Sequence, residues 1–169
     1  MTNGDILRAE RPADIADIDR TIRAAFAMLN VGVRTEHHIV AGLRAAGALT
    51  LSLVAERGQA IVGHVAISPV TISDGAAGWY GLGPVAVVPE LQREGIGQSL
   101  IRAALTCMRN DGAHGCVVYG HPDYYPRFGF ARDPDLILPG AASTHFFALR
   151  WRDAAMGTVA YHPAFSIGR

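Results

Sequence analysis

Apolar positions along the chain change period several times, and each change predicts an element. Ile15, Ile18, Ile22, Phe26 and Leu29 recur at steps of three and four residues, which predicts an amphipathic helix over about 13–29. Pro12 suits its first turn, where a missing N–H costs nothing. A second helix is predicted over Glu36 to Ala46, stopped by Gly47. Ile6 to Ala9 is a short strand candidate. Leu51 to Glu56 and Ile61 to Ile72 read as two strands around a tight turn at 57–60. The turn chemistry of Ser73 to Gly78 predicts a loop. Trp79 to Val88 follows as a long strand, almost continuously apolar at its end and so expected in the middle of a sheet.

From Gly95 to about Asn110 the period returns to that of a helix, with Ile96, Leu100, Ile101, Ala104, Leu105 and Met108 on one face and Arg102 and Arg109 on the other. Asp111 and Gly112 break it. Cys116 to Tyr119 reads as a short buried strand, and Pro122 to Arg127 as a single short helix. Phe130, Leu136 to Leu138, His145 to Arg150 and Thr158 to Tyr161 are weaker strand candidates between prolines and glycines. There is no repeat, low-complexity tract or linker. We therefore expect a single α+β domain over residues 1–169.

Half of the 169 residues are apolar, enough for a sizeable core. Formal net charge is zero, with 15 basic and 15 acidic side chains, so no overall electrostatic footprint points to nucleic acid or an anionic membrane. Every basic residue is arginine. Cys107 and Cys116 are too few for a disulfide framework or a four-cysteine zinc site. The N-terminal stretch has charges throughout and no apolar centre, and no apolar run approaches the ~18 residues of a membrane span. A cytoplasmic location is the expectation.

The chemistry sits in VPELQREGIGQSL, residues 88–100: a strand end, a polar turn and two glycines at the mouth of a helix. A helix N-terminus exposes about four unpaired N–H groups and partial positive charge, and glycines there let an anion approach the backbone. Arg93, Glu94, Gly95, Ile96, Gly97 and Gln98 could thus form a nest for phosphate oxygens. A nucleotide-hydrolysing P-loop needs a lysine, and the chain has none. A dinucleotide fingerprint needs a third small residue where Leu100 stands. The remaining scheme, Q/RxxGxG/A between a central strand and a helix, binds the pyrophosphate of coenzyme A.

The segment GPVAVVPELQREGIGQSLIRAAL resembles the acetyl-CoA-binding core of the GNAT superfamily of N-acetyltransferases, with QREGIG matching its loop in full. DYYPRFGF resembles the family's Y-x-x-x-G-F element, and with GHPDYYPRFGF the chain is most similar to the bacterial YhbS-like branch. The resemblance covers about residues 5–165, although its specific motifs occupy only 85–130. It implies a twisted, mixed, mostly antiparallel sheet of about six or seven strands, helices on both faces, and two central strands splayed to hold the cofactor. It also implies transfer of an acetyl group from acetyl-CoA to a primary amine by direct attack in a ternary complex, with no metal. Val85, Ala86 and Val87 would line the pantetheine arm with main-chain groups, the Val87 N–H polarising the acetyl carbonyl. Tyr125 matches the family's general acid, with Tyr124 as its packing neighbour; Pro126 limits any helix there.

No carboxylate on Trp79 to Pro84 offers a base. His121 is a candidate base or substrate contact; the alternatives are a capping histidine held by Asp123, or a water chain. Glu36, His37 and His38 do not read as a metal site, because neighbours on a helix point apart. His64, within a strand, reads as a core or rim histidine. GQSLI is not a nucleophile elbow. Two other functions stay open: an inactive CoA or acyl-CoA sensor of the same fold, and a toxin-like enzyme acting on aminoacyl-tRNA. The second would need an arginine-lined groove beside the slot. The acceptor could be a small-molecule or peptide amine, and the protein a monomer or a homodimer.

Overall fold

The computed structural model describes residues 4–27, 35–152 and 154–166. Among these residues eight strands form the sheet: β1 (Asp5–Ala9), β2 (Leu51–Arg57), β3 (Ala60–Ile72), β4 (Trp79–Val87), β5 (Gly115–Tyr119), β6 (Leu136–Ile137), β7 (Phe146–Arg150) and β8 (Gly157–Tyr161). Three α-helices among the described residues flank it: α1 (Ile15–Ala27), α2 (Glu36–Ala45) and α3 (Ile96–Asn110). The main order is β1-β2-β3-β4-β5-β7, with β8 against the end of β3 and β6 against β8. Of the pairings along the main path, β4–β5 alone is parallel, and β6–β8 is parallel off it. The sheet is the expected mixed, mostly antiparallel one, with the two-residue β6 added at its margin.

The helix predicted from about residue 13 begins as a 3-10 turn at Pro12–Asp14 and is α-helical from Ile15. Its predicted end, with Leu29, lies outside the described residues. The short helix predicted over Pro122 to Arg127 is a 3-10 turn at Tyr125–Phe128. Gly129, at φ 94°, ends it where a side chain would be strained.

Alternation along β3 divides the core between two faces. Val65 and Ile67 point toward α3, where Ile96, Leu100, Ile101, Ala104 and Met108 close the larger apolar cluster. Ala66 points the other way and packs with Val54, Ala86 and the α1 residues Ile18 and Ile22. Further along that second face, Val70, Trp79, Val117, Phe146 and Val159 form a third cluster. Gly63 of β3 brings α3 close, since a Cβ there would stand 2.9 Å from Leu100 Cδ1. Ion pairs tie β1 to its surroundings: Arg8 bonds Asp14 and Glu56, each at 2.7 Å, and Arg57 of β2 bonds Asp5.

Candidate active site

The slot is made by two strands that part. The β4–β5 ladder runs from Trp79 opposite Gly115 to Gly81 opposite Val117 and ends there. Beyond it, β4 continues against β3 to Val87, and β5 continues against β7 to Tyr119. The β5-facing edge of Leu82 to Val87 is therefore left without a strand partner. The Val88 N–H donates to the Val62 carbonyl at 2.9 Å. By the alternation of an antiparallel ladder, Ala86 then turns its main-chain groups toward β3, whereas Val85 and Val87 turn theirs toward the gap. The three residues expected to line an arm in common are thus divided: two face the opening with their backbone, and Ala86 is 2 % exposed on the α1 side.

At the end of β4 the chain makes a 3-10 turn at Pro89–Leu91 and then two left-handed residues, Arg93 at φ 68° and Gly95 at φ 90°. Alternating handedness of this kind turns successive N–H groups inward, which suits an anion. Gln92, the first position of the QREGIG pattern, donates its side-chain amide to the Val87 carbonyl at 3.0 Å and so ties the loop to the strand. No side chain caps α3; its first bond is the Ser99 N–H to the Gly95 carbonyl, 3.0 Å. The N–H groups of the first turn stay available. Ile96 is 1 % exposed and anchors the loop in the core, while Arg93, Glu94 and Gln98 stay outside it.

Gly120, just past β5, lets the Tyr125 ring lie where its own Cβ would be. Tyr125 packs edge-on against Phe130 at 6.0 Å between centroids and against Tyr124 at 5.2 Å. Burial, with Tyr124 close by, pushes its phenol up to about 12. Tyr124 does more than pack. Its hydroxyl lies 3.4 Å from where a Cβ on Gly97 would stand, and Val87 Cγ2 lies 3.7 Å from the same point. Strand, loop and tyrosine pair therefore converge on the first turn of α3. Arg127 stacks on the Tyr124 ring at 4.6 Å and donates to the Tyr124 and Asp123 carbonyls. Arg102 of α3 stacks on Phe128 at 5.0 Å. Two guanidiniums thus stack on the neighbouring Tyr124 and Phe128 rings.

His121 is exposed, and its Nδ1 accepts the Asp123 N–H at 3.2 Å. Only Nε2 is left for exchange with solvent or a ligand. His64 is fully buried; its Nε2 is 2.8 Å from Ser52 Oγ, and its Nδ1 has no partner. The His37 and His38 rings lie 3.9 Å apart between centroids. Among the described residues no group of three or more His, Cys, Asp or Glu is placed to hold a metal, and no helix is long and apolar enough to cross a membrane. Cys107 and Cys116 are free thiols.

Residues 49–132 match the family model described as an acetyltransferase (GNAT) domain. The uncharacterised N-acetyltransferase YhbS of Escherichia coli K12 is 34% identical over 171 residues, spanning 95% of this chain and 98% of that protein. A GNAT family acetyltransferase from Brucella melitensis, solved in complex with acetyl-CoA, is 46% identical with a TM-score of 0.86, covering 97% of this chain and 99% of that one. Escherichia coli YhbS, solved in complex with CoA, superposes with a TM-score of 0.89 at 30% identity, covering 100% of this chain and 96% of that one. The parted strands, the glycine loop and the full-length likeness agree, and the chain belongs to the GNAT family of N-acetyltransferases.

Proposed function

We propose that the protein moves an acetyl group from acetyl-CoA to an amine by direct attack in a ternary complex. The observation that carries this reading is the open edge of β4: Val85 and Val87 aim main-chain groups into a gap that ends at an uncapped helix N-terminus. The edge fits a pantetheine arm, which carries amides able to bond to it like an added strand. The Arg93–Gln98 loop fits a pyrophosphate, because the left-handed Arg93 and Gly95 and the absent side chain of Gly97 leave backbone N–H groups exposed there. The relatives solved with acetyl-CoA and CoA support the same cofactor.

In this reading the Val87 N–H hydrogen-bonds the acetyl carbonyl as negative charge develops on its oxygen. Tyr125 serves the leaving sulfur. A phenol at about 12 facing a thiol whose free value is near ~8.5 would lose roughly 5 kcal/mol in a separate proton transfer. Its hydroxyl therefore acts by hydrogen-bonding the departing thiolate, which takes its proton from water afterwards while the phenol stays protonated. The amine proton leaves through water or through Nε2 of the exposed His121.

A thermal-shift titration with acetyl-CoA, CoA and NAD side by side tests the binding step. A ligand that binds only the folded state stabilises it by RT ln(1 + [L]/Kd), about 2.7 kcal/mol at a hundredfold excess over Kd. Stabilisation by the two CoA compounds and not by NAD is the expected result. No shift with acetyl-CoA in folded, ligand-free protein would remove the reading.

A further inference from the structure

α3 covers only part of its side of the sheet. It packs chiefly on β2, β3 and β4. Beside β5 and β7 on that face, the described residues place the single turn at Tyr125–Phe128 and no further α-helix. The strip left between the outer face of α3 and the end of β7 is a groove of about 500 Å³. Leu105, Phe128, Leu149 and Trp151 line it, and all four belong to or pack against the larger apolar cluster. Leu149 and Trp151 remain partly open to solvent.

Arg102 and Arg109 both line this groove, seven positions apart on the exposed face of α3 and so about two turns, roughly 10 Å, along its axis. The Arg109 side chain makes no ion pair or hydrogen bond with a described residue, and that of Arg102 has only its stacking contact on Phe128. Arg150 lines the groove as well, but its guanidinium serves Asp133, the Ala155 carbonyl and the Trp79 ring of the opposite cluster. No carboxylate is among the lining residues. Asp111 follows Arg109 beyond the helix end and is not one of them. Two partnerless guanidiniums beside an apolar, aromatic floor complement a segment that is acidic and has an apolar face.

We propose that this groove docks a partner protein through an acidic amphipathic helix. Its apolar side chains lie on Leu149 and Trp151, and two of its carboxylates, seven positions apart, pair with Arg102 and Arg109. The spacing matches because helices lying side by side share the same rise per turn. A nucleic acid would satisfy the guanidiniums but leave the apolar floor at Leu105 and Leu149 uncovered, and a chain of zero net charge adds no general attraction for it. The docking surface does not depend on the acetyl-transfer reading.

The test titrates the full chain with a synthetic two-heptad helix carrying leucines along one face and glutamates at i and i+7. A twin peptide has glutamine in place of those glutamates, and poly-uridylate stands for nucleic acid. Trp79 is buried, so a change in tryptophan emission on binding reports Trp151, and Trp151→Phe should abolish it. The acidic peptide should bind about three- to tenfold more tightly than its twin, the size of two exposed ion pairs, with the gap narrowing as salt is added. Arg109→Glu should erase that preference and Arg109→Gln reduce it. Arg109 is at the end of α3 far from the cofactor loop, so the melting temperature and acetyl-CoA affinity of Arg109→Gln should match the wild type. Saturating acetyl-CoA should not displace the peptide. No binding of the acidic peptide, equal binding of the two peptides, a preference that survives Arg109→Glu, displacement by acetyl-CoA, or tighter binding of poly-uridylate would each overturn the inference.

Discussion

The hydroxyl of Tyr124 and the Cα of Gly97 face each other across the mouth of the slot, with space between them for one methyl group. A Cβ at 97 would meet Tyr124 Oη at 3.4 Å and Val87 Cγ2 at 3.7 Å, both ordinary van der Waals contacts. The folded protein should therefore accept Gly97→Ala. Replacing glycine in a helix should hold or raise the free protein's stability, by up to about 1 kcal/mol. The methyl group would nonetheless occupy the approach to the first-turn N–H groups. Acetyl-CoA should bind about tenfold more weakly or worse, a loss of about 1.4 kcal/mol. Calorimetric titration beside a thermal melt reads both quantities, and their opposite signs separate a ligand effect from a folding defect.

Tyr125→Phe should separate chemistry from packing in the same way. The ring sits among Tyr124, Phe128 and Phe130, and no described residue bonds its hydroxyl. Losing that hydroxyl should leave the melting temperature about unchanged, because the half-buried Tyr125 makes no side-chain hydrogen bond to a described residue. In steady-state assays kcat should fall about a hundredfold, with the KM for acetyl-CoA little altered. The wild-type phenol titrates only near about 12, so its ionisation should leave no limb in the kcat profile between pH 6 and about 10. Unchanged kcat in the variant would remove Tyr125 from the reaction.

Much of this was legible from period and turn chemistry, because both are local. β5 begins one residue before the predicted Cys116, and β7 one residue after the predicted His145. Gly95 and Gly97 announced the loop, and Gln92 at the head of QREGIG was the available signal for the bond that ties the loop to Val87. Pairing is not local. That β4 leaves β5 after Gly81 depends on which edges β3 and β7 occupy, and no stretch of residues encodes that by itself. The contact between Gly81 and Tyr161 joins positions eighty residues apart, through a glycine whose meaning appears only once the tyrosine is in place. Tyr124 reads as a packing neighbour from its position beside Tyr125, and only the turn geometry directs its hydroxyl to Gly97.

Gly63 sets how closely α3 lies on the sheet. A Cβ there would stand 2.9 Å from Leu100 Cδ1, 3.0 Å from Ile96 Cγ2 and 3.4 Å from Ala55 Cβ, and both helix residues are almost fully buried. Gly63→Ala should lower unfolding stability by about 1–3 kcal/mol through overpacking. Urea unfolding should show an earlier midpoint with an unchanged slope. Because Ile96 lies between Gly95 and Gly97, a helix pushed outward should also weaken acetyl-CoA binding. A stability loss with unchanged affinity would show that the loop is positioned independently of the packing beneath it.

His64 should make stability depend on pH between about 4 and 6.5. Its ring is fully buried on β3 and bonded through Nε2 to Ser52 Oγ; Ser52 in turn bonds Glu10, which Arg44 of α2 holds at 3.0 Å. Burial, which Glu10 opposes and Arg44 reinforces, lowers the imidazole from its ordinary 6.5 to about 4. Within that window the unfolded chain binds a proton that the folded chain refuses, so stability rises with pH. The contribution is complete above about 6.5 and is lost as pH falls toward 4. A displacement of about 2.5 pH units corresponds to roughly 3 kcal/mol at most. His64→Gln keeps an amide near the Nε2 position for Ser52 but cannot titrate. Its melting temperature should vary much less than that of the wild type from pH 6.5 to 4.5, before the depressed Asp14 and Asp133 carboxylates begin to protonate. Parallel curves for the two proteins across that range would mean that the buried ring takes up its proton without opening the fold.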